Sequence, residues 1–237
     1  MKYAVLGLLL LASGATAAEP PTVTCGEEAA QACDADTLAA LTARMTRERD
    51  NVAAFLGLSA ERPLAIHIGD TWRGRPVEVT RAWPEFGRVV IPPRILARGI
   101  APTAHEITHV LAGRGASVML TEGLAVLTHA RFGEQPAFPN FGQPLDTALA
   151  ALLARLPPLA AAPSLDQLDR WIEDFSDSGR RRLGYLIAGL FCEHLLLERL
   201  GGDRERFLRL YRSGDYAGML GDSSADVFAR WWAARAS

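Results

Sequence analysis

Apolar and polar positions along the chain change period several times, and each change marks an element. Over Asp36–Leu56 the apolar residues Leu38, Leu41, Met45, Val52 and Phe55 recur on one side of a helix, and Gly57 ends it. From Pro63 to Gly69 the period drops to two: Leu64, Ile66 and Ile68 alternate with other residues, which predicts a strand. His67 then points to the opposite face and reads as a sheet-surface histidine rather than a ligand. Trp72-Arg73-Gly74-Arg75 reads as a turn. Val77–Thr80 and Arg88–Ile91 read as two further short strands, separated by Pro84 and Gly87 and closed by Pro92-Pro93. Glu19–Thr24 is proline-rich and is expected to be loose.

The rest of the chain is patterned for helices. A helix beginning near Pro102 carries Ala104, Ile107 and Leu111 on one side and stops at Gly113 and Gly115. Met119–Phe132 and Leu145–Leu156 predict two more, with a loop over 133–144 that holds Phe138 and Phe141, and an Ala/Pro linker after Pro157-Pro158. Ser164-Leu165-Asp166-Gln167 is a capping box opening a short helix. Arg181–Leu200 is apolar through its middle and is expected to be buried, with Gly201-Gly202 as its stop. Two closing helices start at Asp203 and Ser224; their Phe207, Leu210, Tyr211, Phe228, Trp231 and Trp232 read as core. The expected fold class is therefore α+β, a small mixed or antiparallel sheet followed by a mostly helical half. No internal repeat is visible.

Chemistry enters with His105-Glu106-Ile107-Thr108-His109. On a helix, residues four apart share one face, so two imidazoles can grip one metal ion. A bound Zn²⁺ lowers the pKa of its water to about 7, and the glutamate next to the first histidine can take the proton. A catalytic zinc needs a third protein ligand and one open position, whereas a structural zinc closes with four. The extended metzincin pattern fails: Ala112 stands where it has glycine and Gly115 where it has the third histidine. Thr121-Glu122-Gly123-Leu124-Ala125 offers a glutamate instead, on the helix that follows a glycine-rich turn.

In these two motifs the chain resembles the gluzincin metallopeptidases, which carry His-Glu-x-x-His and then a glutamate on the next helix. Glu-Gly-Leu-Ala is kept, while Met119 and Leu120 stand where an aromatic residue is usual. The resemblance implies a zincin-like fold with the zinc at the junction of sheet and helices. It implies His105, His109 and Glu122 as zinc ligands and Glu106 as general base. It also implies a tyrosine or histidine on a later helix that stabilises the oxyanion; Tyr185 is the first candidate and His194 the second. Small gluzincins pair an extended substrate with an edge strand, and Gly87, Arg88, Val89, Val90 and Ile91 are the candidate edge. His129 lies seven residues beyond Glu122, about 10 Å along the helix, too far to share the metal, and reads as a surface residue or a support to the ligands.

Composition narrows the function without redirecting it. The 237 residues are 49% hydrophobic and 22% charged, ordinary for a globular chain, and the length suits a single domain over 19–237. A formal charge of −2 argues against a nucleic-acid partner. Arg180-Arg181-Arg182, the one basic run, reads as a solvated helix start. Met1–Ala18 reads as a signal peptide: Lys2, an apolar core too short to span a bilayer, then small residues at Ala15–Ala18. The mature protein is thus expected to be exported, periplasmic or secreted, without a membrane span, and to act on a peptide or protein substrate. Export permits disulfides. Cys25 and Cys33 are close enough to close a small loop, leaving Cys192 in an apolar helix, although sequence leaves all three pairings open. Two alternatives accompany the peptidase expectation: a catalytically silent peptide-binding protein of the same fold, and a zinc hydrolase with a non-peptide substrate.

Overall fold

A computed structural model describes residues 18–236 apart from Pro158 and Ala160; the expected signal peptide, except its last residue, lies outside the described residues. The fold is α+β. In chain order the elements are β1 (Thr22–Cys25), α1 (Ala35–Leu56), β2 (Ala65–Ile68), β3 (Thr71–Trp72), β4 (Arg75–Pro76), β5 (Arg81–Trp83), β6 (Arg88–Ile91), α2 (Pro93–Ala97), α3 (Thr103–Ala112), α4 (Val118–Phe132), α5 (Leu145–Leu153), α6 (Leu165–Glu173), α7 (Ser178–Glu193), α8 (Arg204–Ser213), α9 (Tyr216–Leu220) and α10 (Ser224–Ala236). A widened helical turn over His194–Arg199 prolongs α7 toward Gly201-Gly202. Among the described residues no helix is long and apolar enough to cross a membrane.

The main sheet has the order β1-β2-β6-β5. β1, β2 and β6 are parallel and β5 runs antiparallel to β6, so the sheet is mixed. The proline-rich start is less loose than expected: Pro20 and Pro21 precede the ladder, and Thr22–Cys25 then pairs along β2 as an edge strand. A Cys25–Cys33 disulfide ties β1 to the turn before α1, and Cys192 is a free thiol in the core.

The strand expected over Val77–Thr80 does not form. Val77 is buried but Val79 is 59% exposed, so the two do not share a face as alternate strand residues would. The chain makes instead a β3–β4 hairpin, with Arg73 and Gly74 both at positive φ, and Val77 N–H closes it on the Asp70 carbonyl at 2.8 Å. The strand that pairs with β6 begins later, at Arg81.

β6 lies in the middle of the sheet, hydrogen-bonded to β2 on one side and β5 on the other. Val89, Val90 and Ile91 are all fully buried, which requires both faces of this strand to be covered. α3 packs against β5 and β6 and, on its other sides, against α1 and α4. Nine of its ten residues are buried.

The helical half is built on close contact of α4 with α7. A Cβ at Gly123 would lie 2.5 Å from the Ala188 carbonyl oxygen, and one at Gly189 would lie 2.6 Å from Val126 Cγ1. Glycine at these two positions lets the backbones approach, and the glycine of the Glu-Gly-Leu-Ala motif is therefore a packing residue. The capping box at Ser164 and Gln167 is present, and the aromatic residues of α8 and α10 pack into the core as expected.

Candidate metal centre and cleft

α3 presents His105 and His109 one turn apart, with their Nε2 atoms 3.1 Å from each other. At Gly113 the helix ends with φ 73°, and the chain reverses into α4, capped by Ser117. This turn is fastened by three hydrogen bonds to two other helices. Tyr211 of α8 donates its hydroxyl hydrogen to the Gly113 carbonyl at 2.6 Å, Ala116 N–H donates to the Tyr211 carbonyl, and Asp169 of α6 accepts from Met119 N–H at 2.6 Å. With α4 thus fixed, Glu122 brings Oε2 to 3.2 Å from His105 Nε2 and 3.7 Å from His109 Nε2.

The three donor atoms form a triangle with sides of 3.1, 3.2 and 3.7 Å. A tetrahedral ion bound at 2.0–2.1 Å would need an edge of about 3.3 Å between its donors. The residues therefore fit a metal ion, and these three are the group able to hold one among the described residues. Electrostatics agree. Burial alone would raise the Glu122 carboxyl, but hydrogen bonds and charge from His105 and His109 hold it well below the usual carboxylate range. Burial likewise works against a charged His109, and Glu122 outweighs it, so the imidazole is raised. The carboxylate is thus held ionised beside the two imidazoles.

Glu106 is on the same helix, 6% exposed, and faces β5. Burial raises its carboxyl; His105, His109 and a hydrogen bond from the Ala82 backbone N–H pull in the other direction without cancelling that. Tyr185 of α7 stands beside this group, its ring 6.4 Å from that of His105 and 5.2 Å from that of Phe138, and its hydroxyl is hydrogen-bonded by Arg181. Burial pushes the phenol above its ordinary range, so it stays a donor at any ordinary pH. His105, Glu106, His109, Glu122 and Tyr185 all line one cleft of about 650 Å³.

The other expected positions lie elsewhere. Gly87–Ile91 is not a substrate edge: β6 is internal, and the Gly87 carbonyl already accepts from Ala65 N–H at 2.8 Å. The open edge beside the metal group belongs to β5, whose Arg81 and Ala82 line the cleft. His194 packs against Phe191 and Trp231, meets Glu198 at 2.8 Å, and is not part of the cleft. His129 is no surface residue; it is 4% exposed, with Nε2 3.1 Å from the Gln135 carbonyl. His67 meets Thr24 Oγ1 at 3.2 Å on the sheet and joins no ligand group.

Sequence reasoning missed Ala82, whose N–H orients Glu106, and Arg81, Arg114 and Arg181 on the cleft wall. For Arg181 a signal existed: it precedes Tyr185 by four residues and so shares its helix face. The fold and site together define an α+β protein with a buried His-His-Glu group able to hold a metal ion. Comparison with known proteins adds no relative: no family model, no curated protein and no solved structure matches the chain.

Proposed function

We propose that the protein is an exported zinc metallopeptidase of the gluzincin type with a zincin-like fold, hydrolysing peptide bonds in a peptide or protein substrate. The observation that carries this reading is the convergence of His105, His109 and Glu122 on one point with Glu106 beside them at the floor of an open cleft. Two imidazoles and one carboxylate are a donor set used by catalytic zinc, and they leave a position for substrate. When bound, zinc supplies Lewis acidity, activating water and polarising a carbonyl.

The chain's own residues do the rest. Glu106, with its carboxyl raised by burial, takes the proton from the attacking water and passes it to the leaving amine. Ala82 N–H holds Glu106 in place for both transfers. Tyr185, kept protonated and hydrogen-bonded to Arg181, is the donor for the oxyanion on the opposite wall. An extended substrate lies along the open edge of β5.

The test is cleavage of a proteome-derived peptide mixture by the zinc-loaded mature protein, with products read by mass spectrometry. Cleavage is expected, and Glu106→Gln is expected to lower it about 10²–10⁴-fold with unchanged zinc content. A zinc-loaded protein that cuts no peptide, or a Glu106→Gln variant as active as the wild type, overturns the reading.

A further inference from the structure

Resting on that metallopeptidase reading, we propose that the cleft selects acidic peptides, with Arg81, Arg114 and Arg181 as the specificity-determining residues. The three are far apart in sequence and arrive from different walls: Arg81 from the open strand β5, Arg114 from the turn after α3, Arg181 from the first turns of α7. All three line the cleft that contains the metal group. Apart from Glu106 and Glu122, which belong to the chemistry, no acidic residue lines it among the described residues. The lining is therefore locally cationic in a chain whose formal charge is −2.

None of the three arginines is in an ion pair with a carboxylate among the described residues, as is also true of most arginines elsewhere in the chain. Their surroundings fix them in other ways. Arg181 stacks 3.7 Å above the Phe175 ring, donates through Nε to the Ile172 carbonyl at 3.2 Å and hydrogen-bonds Tyr185. Its guanidinium, part of the cleft lining, has further hydrogens to offer a carboxylate. Arg81 lies 5.4 Å over the Trp83 ring, and Arg114 directly follows Gly113 at the end of α3, on the cleft wall. Unpaired guanidinium groups around a concave site raise the local concentration of anions and favour substrates with matching charge.

The same wall is apolar at its mouth. Phe175, Val79 and Phe141 are 74, 59 and 53% exposed, the most exposed of the large apolar side chains among the described residues, and all three line this cleft. The occupant that fits is a peptide with aspartate or glutamate close to the scissile bond and a bulky apolar residue beside it.

Binding tests this separately from hydrolysis. Fluorescein-labelled peptides of one apolar sequence, differing only in two Glu against two Gln, are titrated into full-length mature Glu106→Gln protein loaded with zinc. The acidic peptide is expected to bind about tenfold more tightly at low salt, the combined effect of a few exposed ion pairs, and the difference should shrink at high salt. Arg81→Gln and Arg114→Gln, at exposed positions that tolerate the change, should each lower acidic-peptide affinity and leave that of the Gln peptide unchanged. Equal affinity for the two peptides, or binding of neither, overturns the proposal. Selective binding without any hydrolysis by the wild type supports the acidic cleft while removing the peptidase reading.

Discussion

The two sides of the α3–α4 pair are both polar and buried, yet only one is built to hold something. On the front, Nε2 of His105, Nε2 of His109 and Oε2 of Glu122 converge on one point, with separations of 3.1–3.7 Å. On the back, the polar side chains bond separately to the fold around them, although His129 Nδ1 and Glu48 Oε2 have no partner among the described residues. The Thr108 and Thr128 hydroxyls lie 2.6 Å apart, so that one donates to the other while the second donates to a carbonyl one turn back. His129 Nε2 faces the Gln135 carbonyl, and Glu48 accepts from Glu134 N–H at 2.9 Å. Buried polarity as such is thus no sign of a site. Convergence of three potential ligand atoms on one point is a better one, because a single shared cation can be held by all of them.

The sharpest way to break this contrast is metal analysis. Alanine at His105, His109 or Glu122 should remove nearly all bound zinc, while His129→Gln should leave it at wild-type stoichiometry. Full zinc in Glu122→Ala would remove that residue from the ligand set. Next in size is Tyr185→Phe, which should lower kcat about 10²–10³-fold with zinc content and KM little changed, the effect of losing one oxyanion donor. Unchanged turnover in steady-state kinetics would return Tyr185 to a packing role against Phe138.

The back of the pair predicts a pH effect. Burial depresses His129 from 6.5 to about 4. The unfolded chain then takes up a proton that the folded chain refuses. The stabilising contribution is complete above about pH 6.5 and is lost as pH falls toward 4, by at most about 3 kcal/mol. Denaturant melts of wild type and His129→Gln over this range should converge as the pH drops; a constant gap would show that His129 does not titrate there. The smallest effect is expected from Gly123→Ala. Its new methyl group would meet the Ala188 carbonyl, with an overpacking cost of about 1–3 kcal/mol. Because α4 must shift, zinc affinity should fall as well, although no ligand has changed. Equilibrium dialysis against a zinc buffer would detect it, and unaltered affinity would mean that Glu122 follows the helix without strain.

Much of this protein could be read from the chain alone. The 3.6-residue period and glycine stops marked α1, α3, α4 and the capping box of α6, since these signals are local and act within a turn or two of helix. The spacing of His105 and His109 put both on one face for the same reason. Sheet order was not legible: the pairing of β6 on both sides arises from contacts with β2 and β5, and no local pattern distinguishes an internal strand of four residues from an edge. The missed strand β1 is likewise stabilised by its partner rather than by its own proline-flanked sequence. Only the tertiary structure set Glu122 against the two histidines, turned Ala82 N–H toward Glu106, and gathered Arg81, Arg114 and Arg181 around one cleft. Those distances follow from how α3 is held between the sheet, α4 and the helices that fasten the intervening turn. Residue identity supplies the donors, and packing decides where their lone pairs meet.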